Sequence, residues 1–256
     1  MKLGIECFEV ESNNRILRGM LHKGIIEVPV ILVHGFFSSN KIGPYRLYFS
    51  IAECLNKIGY TVFRVDFSAM GESDGWSDEV TFSDHVLDLK NIIDSILQLT
   101  KSSTIHIIAH CMGCCTSLKY AHNNAGKVET LTLLSPFIPK SNNLQRLLGV
   151  NYQDYVESNN VLLHRCMYFD RSFIDASWVL LENNIMKNLE KEKILVVLPE
   201  QDELSTISDG MGWVNSYLLE YCLIKEADHN FLNIKGRSEL LELLYAYYLN
   251  YRGEKE

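Results

Sequence analysis

Residues 107–113, with the sequence IIAHCMG, constrain the fold of this chain more than any other stretch. The apolar start is typical of a buried strand, and Cys111 follows with Ala109 two residues before it and Gly113 two residues after it. Small residues at these two positions suit a sharp turn from a strand into a helix, in which the central residue has a strained backbone. The segment therefore predicts a strand, a tight turn at Cys111 and a helix.

A turn of this form is a nucleophile elbow, because the N-terminus of the following helix points at the central side chain. The positive end of the helix dipole favours a thiolate over a thiol, so the pattern predicts a cysteine nucleophile at Cys111. Taken alone, the pentapeptide fits a buried cysteine that only fills space after a strand equally well. The choice between the two depends on the rest of the chain.

Several apolar runs recur along the sequence with helical stretches between them. They are residues 30–33, 61–65, 105–108, 128–134 and 194–198. Runs that are apolar on both faces and alternate with helices predict a parallel sheet covered on both sides. Residues 5–10 and 16–21, joined by a polar turn, predict an antiparallel hairpin. We expect an α/β fold with a mostly parallel central sheet.

Residues 137–193 separate the last two of these runs, and this length far exceeds a single crossover connection. Residues 172–189 have the apolar spacing of helices, so we expect an inserted helical lid over the strand ends. An insertion with only a structural role fits the same pattern. The predicted organisation is one core in two parts, residues 1–136 and 194–256, with the lid at 137–193.

The composition, 47% hydrophobic and 22% charged residues, is that of one sizeable globular domain. The net charge of -8, without basic runs, argues against nucleic acid and anionic membranes as partners. The sequence contains no stretch typical of a signal peptide or a membrane-spanning helix, so we expect a cytoplasmic protein without membrane insertion.

The seven cysteines are scattered without the paired spacing of metal ligands, so we expect reduced thiols, no metal site and no cofactor. Cys111 and Cys114 form a single CxxC, for which a redox role is a weaker interpretation.

Polar residues follow three further predicted strands in the order that an acyl-transfer site requires. Residues 34–37, HGFF, follow the run 30–33, and their free amide N–H groups form one half of a predicted oxyanion hole. The N–H of Met112, directly after the nucleophile, would form the other half.

Asp202 follows the run 194–198, and His229 follows a last predicted strand at 221–224. The order nucleophile, acid, histidine predicts that Asp202 orients His229, which in turn deprotonates Cys111 or pairs with its thiolate. The rival acids are Glu200, Glu203 and Asp228. Among the other histidines, His34 is expected to have a structural role, and His110 is expected to point away from the pocket.

Six stretches carry a resemblance to a known family. They are residues 34–55, 66–75, 107–114, 133–137, 199–204 and 227–231. Together they resemble the α/β-hydrolase superfamily, and within it the cytoplasmic cinnamoyl or feruloyl esterases and lysophospholipase-like serine hydrolases. The resemblance implies the α/β-hydrolase fold, with helices on both faces of the sheet.

Position by position, the resemblance implies an oxyanion hole from Phe36 and Met112, a nucleophile at Cys111, an acid at Asp202 and a base at His229. The sequence departs from the family pattern twice. Ser68 and Ala69 replace the Arg-Gly of the DxRGxGxS loop, and the GxSxG elbow has become AxCxG.

A sulfur nucleophile affects which class of ester is cleaved efficiently. When a thiolate attacks an oxoester, the intermediate tends to expel the thiolate again, because an alkoxide is the poorer leaving group. A thioester avoids this asymmetry. We expect acyl transfer from a thioester or activated ester, as a thioesterase or acyltransferase acting on a small-molecule or carrier-bound acyl substrate. An ordinary carboxylesterase with a cysteine nucleophile and a non-catalytic binding scaffold remain the alternatives.

Overall fold

The computed structural model describes residues 4–35, 40–157, 161–164 and 167–253. The strands in these residues are β1 (Ile5–Ser12), β2 (Arg15–His22), β3 (Ile26–Val33), β4 (Tyr60–Val65), β5 (Ile105–His110), β6 (Val128–Leu134), β7 (Val161–His164), β8 (Met167–Asp170), β9 (Ile194–Pro199) and β10 (Glu220–Ile224). The α-helices are α1 (Leu47–Ile58), α2 (Phe82–Thr100), α3 (Gly113–Asn123), α4 (Ser141–Leu148), α5 (Tyr152–Glu157), α6 (Ser172–Asp175), α7 (Asn183–Lys187), α8 (Ile207–Tyr217) and α9 (Ile234–Gly253).

Eight of the strands form one sheet, in the order β1-β2-β4-β3-β5-β6-β9-β10. In the described part of the chain, β2 pairs antiparallel with β1 and β4, and the other pairs of this sheet are parallel. The predicted N-terminal hairpin and mostly parallel sheet are therefore confirmed. Strand β5 lies near the middle, with Ala109 opposite Val33 of β3 and Leu133 of β6, so its carboxyl end is central on the sheet edge.

Helices cover both faces of the sheet because successive side chains of the central strands point to opposite sides. In β3, Ile31 and Val33 belong to an apolar cluster with α2, α3 and α8. Val30 and Leu32 belong to a second cluster with α1 and α9. All four side chains are at most 2% exposed, and burial of each contributes about 1.5–3 kcal/mol. The predicted helices on both faces are thus confirmed.

Residues 137–193 contain α4 to α7 and, in addition, a two-stranded antiparallel sheet of β7 and β8. The helices were expected, but the hairpin was not, because four-residue apolar runs carry no distinctive period. The segment is tied to the core: Trp213 on α8 donates from Nε1 to the Leu180 carbonyl at 2.7 Å, and the Ser172 hydroxyl accepts from the Phe82 N–H at 3.0 Å. Its role as a lid stays a prediction.

Candidate active site

Cys111 lies in the predicted sharp turn between β5 and α3. Its backbone has a φ of 55°, a left-handed conformation that is rare for a residue with a side chain and is typical of strained functional positions. The Cys111 N–H donates to the Leu134 carbonyl at 3.0 Å, which holds the turn against β6. The strand, turn and helix predicted from residues 107–113 are confirmed.

Close packing around the elbow explains why small residues stand two positions before and two positions after Cys111. Ala109 is fully buried in β5. A Cβ atom on Gly113 would lie 2.5 Å from the His34 carbonyl oxygen and 2.8 Å from that of Val33, closer than real side chains approach backbone oxygens. A Cβ atom on Gly35 would lie 3.2 Å from the Cβ atom of Cys111. The end of β3 therefore packs directly against the elbow.

Asp202 and His229 meet at the carboxyl edge of the sheet, after β9 and β10. The imidazole Nδ1 lies 2.8 Å from Asp202 Oδ2 and 3.0 Å from Oδ1. Since a carboxylate only accepts, Nδ1 carries the proton and donates it. The Asp202 side chain is 3% exposed and also accepts from the N–H groups of Leu204 and Ser205, both at 2.8 Å. These hydrogen bonds hold the carboxylate of Asp202 in the position from which it orients the imidazole ring of His229.

The imidazole of His229 is poised between Asp202 and Cys111. Its Nε2 is buried and makes no hydrogen bond of standard geometry to any described residue. Burial disfavours the charged ring, but the nearby Cys111 sulfur and the hydrogen bond to Asp202 outweigh it and raise the pKa of His229 well above its usual value. The imidazolium form is therefore favoured beside the sulfur, as in a cysteine-histidine pair.

The N–H of Met112 is available at the start of α3. It donates to no acceptor in the part of the chain that the structure describes, whereas the N–H groups of Cys114 and Cys115 donate to the carbonyls of Cys111 and Met112. A free N–H at a helix N-terminus suits a developing negative charge. Phe36, the other expected oxyanion donor, lies outside the described residues.

The three rival acids bind backbone N–H groups instead of the imidazole ring. Glu203 accepts from the His229 N–H at 3.0 Å, Glu200 from Glu226 at 3.3 Å, and Asp228 from Asn230 at 2.9 Å. Among these carboxylates, Asp202 is the one bonded to the ring of His229.

Two histidines near the elbow bond to backbone groups. His34 donates from Nδ1 to the Gly35 carbonyl at 2.6 Å and accepts at Nε2 from the Phe67 N–H at 3.0 Å, a structural role as expected. The sequence predicts that His110 points away from the pocket, and in the structure its Nε2 lies 2.9 Å from the carbonyl oxygen of His229. In the sequence, the feature that indicates a role for His110 near the site is its position directly before Cys111.

The other cysteines of the elbow region differ from Cys111 in exposure. Cys114 and Cys115 are fully buried, and burial raises the pKa of both thiols. Cys111 is partly exposed. Across the described ranges, no group of three or more potential ligands could hold a metal ion, and no helix there is long and apolar enough to cross a membrane.

Comparison with known sequences decides the family. Residues 28–163 match the family described as the alpha/beta hydrolase fold. The chain belongs to this family. The matched range ends before Asp202 and His229, so the structure alone brings these two residues of the alpha/beta hydrolase to the elbow.

Curated relatives resemble only part of this hydrolase. The probable lysophospholipases BODYGUARD 2 and BODYGUARD 1 of Arabidopsis thaliana are 32% and 31% identical to it over 108 residues. The match covers 42% of this chain in each case. It spans 22%, about a fifth, of the length of each relative.

Solved structures share the whole fold. Est1E from Butyrivibrio proteoclasticus with bound ferulic acid has a TM-score of 0.78 and 19% identity, covering 95% of this chain and 98% of that chain. The Pyrococcus furiosus esterase Pf2001 has a TM-score of 0.70 and 20% identity, over 96% and 90% of the two chains. These likenesses show the alpha/beta hydrolase fold.

Proposed function

We propose that this hydrolase transfers an acyl group from a thioester or activated ester through a covalent intermediate on Cys111. The observation that carries the proposal is the position of His229, bonded at Nδ1 to Asp202 while its pKa is raised by the Cys111 sulfur. A histidine held between a buried carboxylate and a cysteine in a strained turn is the arrangement that nucleophilic catalysis needs.

In the proposed reaction, Nε2 of His229 holds the proton of Cys111, and the sulfur attacks the carbonyl carbon of the substrate. The carbonyl oxygen becomes an oxyanion that accepts from the N–H of Met112. The intermediate then collapses as the imidazolium gives its proton to the leaving thiolate or alkoxide, and a thioester remains on Cys111. Water or an acceptor alcohol or amine gives its proton to Nε2 and attacks this thioester, which releases the acyl group and restores the Cys111 sulfur.

Thioester donors suit this site because the two possible leaving groups of the first intermediate are then both thiolates. With an oxoester, the alkoxide leaves only if His229 protonates it promptly, and return to substrate competes. The acyl-enzyme is itself a thioester and reacts with amines and alcohols as well as with water. The substrate of this proposal is therefore a small-molecule or carrier-bound acyl group.

We propose that the acyl group is apolar or aromatic, because one aromatic side chain of segment 137–193 lies beside the elbow. Phe173 on α6 borders a small cavity together with Gly35 and Met112, next to the elbow. Phe169 is fully buried, whereas Tyr168 is 58% exposed. Phe173 is also buried, at 2% exposure, but it borders the cavity beside the elbow, so we place this side chain beside the acyl group.

An ordinary carboxylesterase with a cysteine nucleophile is the second candidate. Its support is the names of the relatives, which are probable lysophospholipases, and of the similar Pyrococcus furiosus structure, which is an esterase. Both candidates use the same three residues, and they differ in which ester is cleaved efficiently.

Replacement of Cys111 separates the candidates. With a thioester and a nitrophenyl ester of the same acyl group as substrates, Cys111→Ala should be inactive on both. Cys111→Ser should turn over the thioester far more slowly than the native protein and should accumulate a stable acyl adduct from either donor, because a serine alkoxide is a poorer leaving group than a thiolate when the acyl group is released. A serine variant that turns over thioesters as fast as the native protein, without an adduct, would favour the carboxylesterase. Binding of the ester without turnover by the native protein would contradict both.

A further inference from the structure

We infer that His110 is a positioning residue that, together with Tyr48, holds the backbone of His229 and the end of β3 in register with Cys111. The inference rests on the proposed function, because it concerns the geometry of the same reaction. His110 contacts neither the reacting sulfur nor the imidazole nitrogens of His229 by a hydrogen bond. It acts through backbone groups on either side of the elbow.

A chain of hydrogen bonds runs through His110 with a single consistent set of directions. The His229 carbonyl only accepts, so His110 Nε2 carries the proton and donates it at 2.9 Å. The opposite nitrogen, Nδ1, is then an acceptor and receives the Tyr48 hydroxyl proton at 2.9 Å. The Tyr48 oxygen in turn accepts from the Gly35 N–H at 3.4 Å. The chain thus joins the loop of the base to the strand end that packs on Cys111.

Burial makes this chain costly to break. The His110 and Tyr48 side chains belong to residues that are each 2% exposed, so water cannot replace a lost partner without rearrangement. An unpaired polar group in such surroundings loses its hydrogen bond without compensation from solvent and destabilises the local structure. Burial also lowers the pKa of His110 to about 3. The ring therefore stays neutral and keeps the same donor and acceptor nitrogens across the working pH range.

The backbone of His229 is held on both sides by neighbours of the other two site residues. Glu203, next to Asp202, accepts from its N–H at 3.0 Å. His110, next to Cys111, donates to its carbonyl. Since the ring of His229 must meet Cys111 within hydrogen-bond reach, a shift of its backbone by 1 Å is enough to cost about 100-fold in rate.

His106 offers a matched control on the same strand. It is 3% exposed, and its Nδ1 lies 2.7 Å from the Thr130 hydroxyl. Its ring packs against Tyr60 and Tyr248, away from the elbow. Replacement of His106 therefore removes a buried histidine from β5 without touching the chain from Gly35 to His229.

The test compares His110→Phe, Tyr48→Phe and His106→Phe by turnover of a nitrophenyl ester and by the rate of Cys111 alkylation with iodoacetamide. We expect His110→Phe to lower kcat up to about 100-fold and to slow alkylation, with KM within about twofold of the native value. Tyr48→Phe should lower kcat by about 10-fold, and the double variant should lose little more than His110→Phe, because both act through one chain. His106→Phe should change neither rate beyond its effect on stability.

Equal kcat and alkylation rates for His110→Phe and His106→Phe would overturn the inference. If His110→Phe did not fold, Tyr48→Phe, which removes one oxygen atom, would decide by the same two rates. A native chain that turned over neither esters nor thioesters would refute the proposed function instead. The alkylation rates would still test the position of His229 in that case, because they need no substrate.

Discussion

Replacement of Gly113 by alanine tests the steric basis of the elbow. The new Cβ atom would lie 2.5 Å and 2.8 Å from the backbone oxygens of His34 and Val33. Ordinary contacts begin near 3.4 Å, so the end of β3 must move by somewhat less than 1 Å or the helix α3 must shift. Such overpacking costs about 1–3 kcal/mol, against a gain of up to about 1 kcal/mol from the helix propensity of alanine. We expect a net loss of about 1–2 kcal/mol of stability.

Gly212 provides the control, because it also lies in a helix, α8, and its added Cβ atom would meet nothing within 4 Å. Gly212→Ala should therefore stabilise the protein by about 0.5–1 kcal/mol. Guanidinium unfolding gives both free energies, and turnover of a nitrophenyl ester shows whether the shifted β3 has lowered activity. Equal effects of the two substitutions on stability would refute the steric account of the elbow.

Three further predictions concern titration and reactivity. His229→Ala should lower kcat by several orders of magnitude and Asp202→Asn by less, because a cysteine-histidine pair depends less on its carboxylate; full activity of Asp202→Asn would contradict this. Iodoacetamide at neutral pH should label Cys111 first and abolish activity, as peptide mapping and assay would show. Burial and the adjacent Arg64 lower the pKa of His22 to about 4. Since the unfolded chain binds this proton near pH 6.5, stability falls as pH decreases from 6.5 towards 4, and at pH 5 the loss is about 2 kcal/mol. His22→Gln should show a smaller decrease in urea unfolding between pH 7 and pH 5.

The features predicted correctly from the sequence are those set by local periodicity and sterics. The apolar runs lie within β3, β4, β5, β6 and β9 because strands buried on both faces are apolar throughout. The elbow was predictable because Gly113 is the residue type that fits between α3 and two backbone oxygens. The contact of Asp202 with His229 followed from strand order, since parallel strands bring their carboxyl ends to one edge.

Contacts of side chains with the backbone of distant segments could not be predicted from the sequence. The hydrogen bond from His110 to the His229 carbonyl joins residues 119 positions apart. Every residue has a backbone carbonyl, so the amino-acid sequence does not show which one accepts this bond. The bond from the His229 N–H to Glu203, one of the rival acids, could not be predicted from the sequence for the same reason. The hairpin of β7 and β8 was missed because its strands have four residues each.

In the proposed reaction, the sulfur of Cys111 carries the acyl group. The most direct test is rapid-quench intact-mass spectrometry of the native protein and His229→Ala with an acyl thioester, followed by peptide mapping. We expect a single acyl adduct on the peptide containing Cys111, formed and cleared by the native protein and formed far more slowly in His229→Ala. An adduct on the peptide of another cysteine, or turnover of the thioester by Cys111→Ala at the native rate, would contradict it.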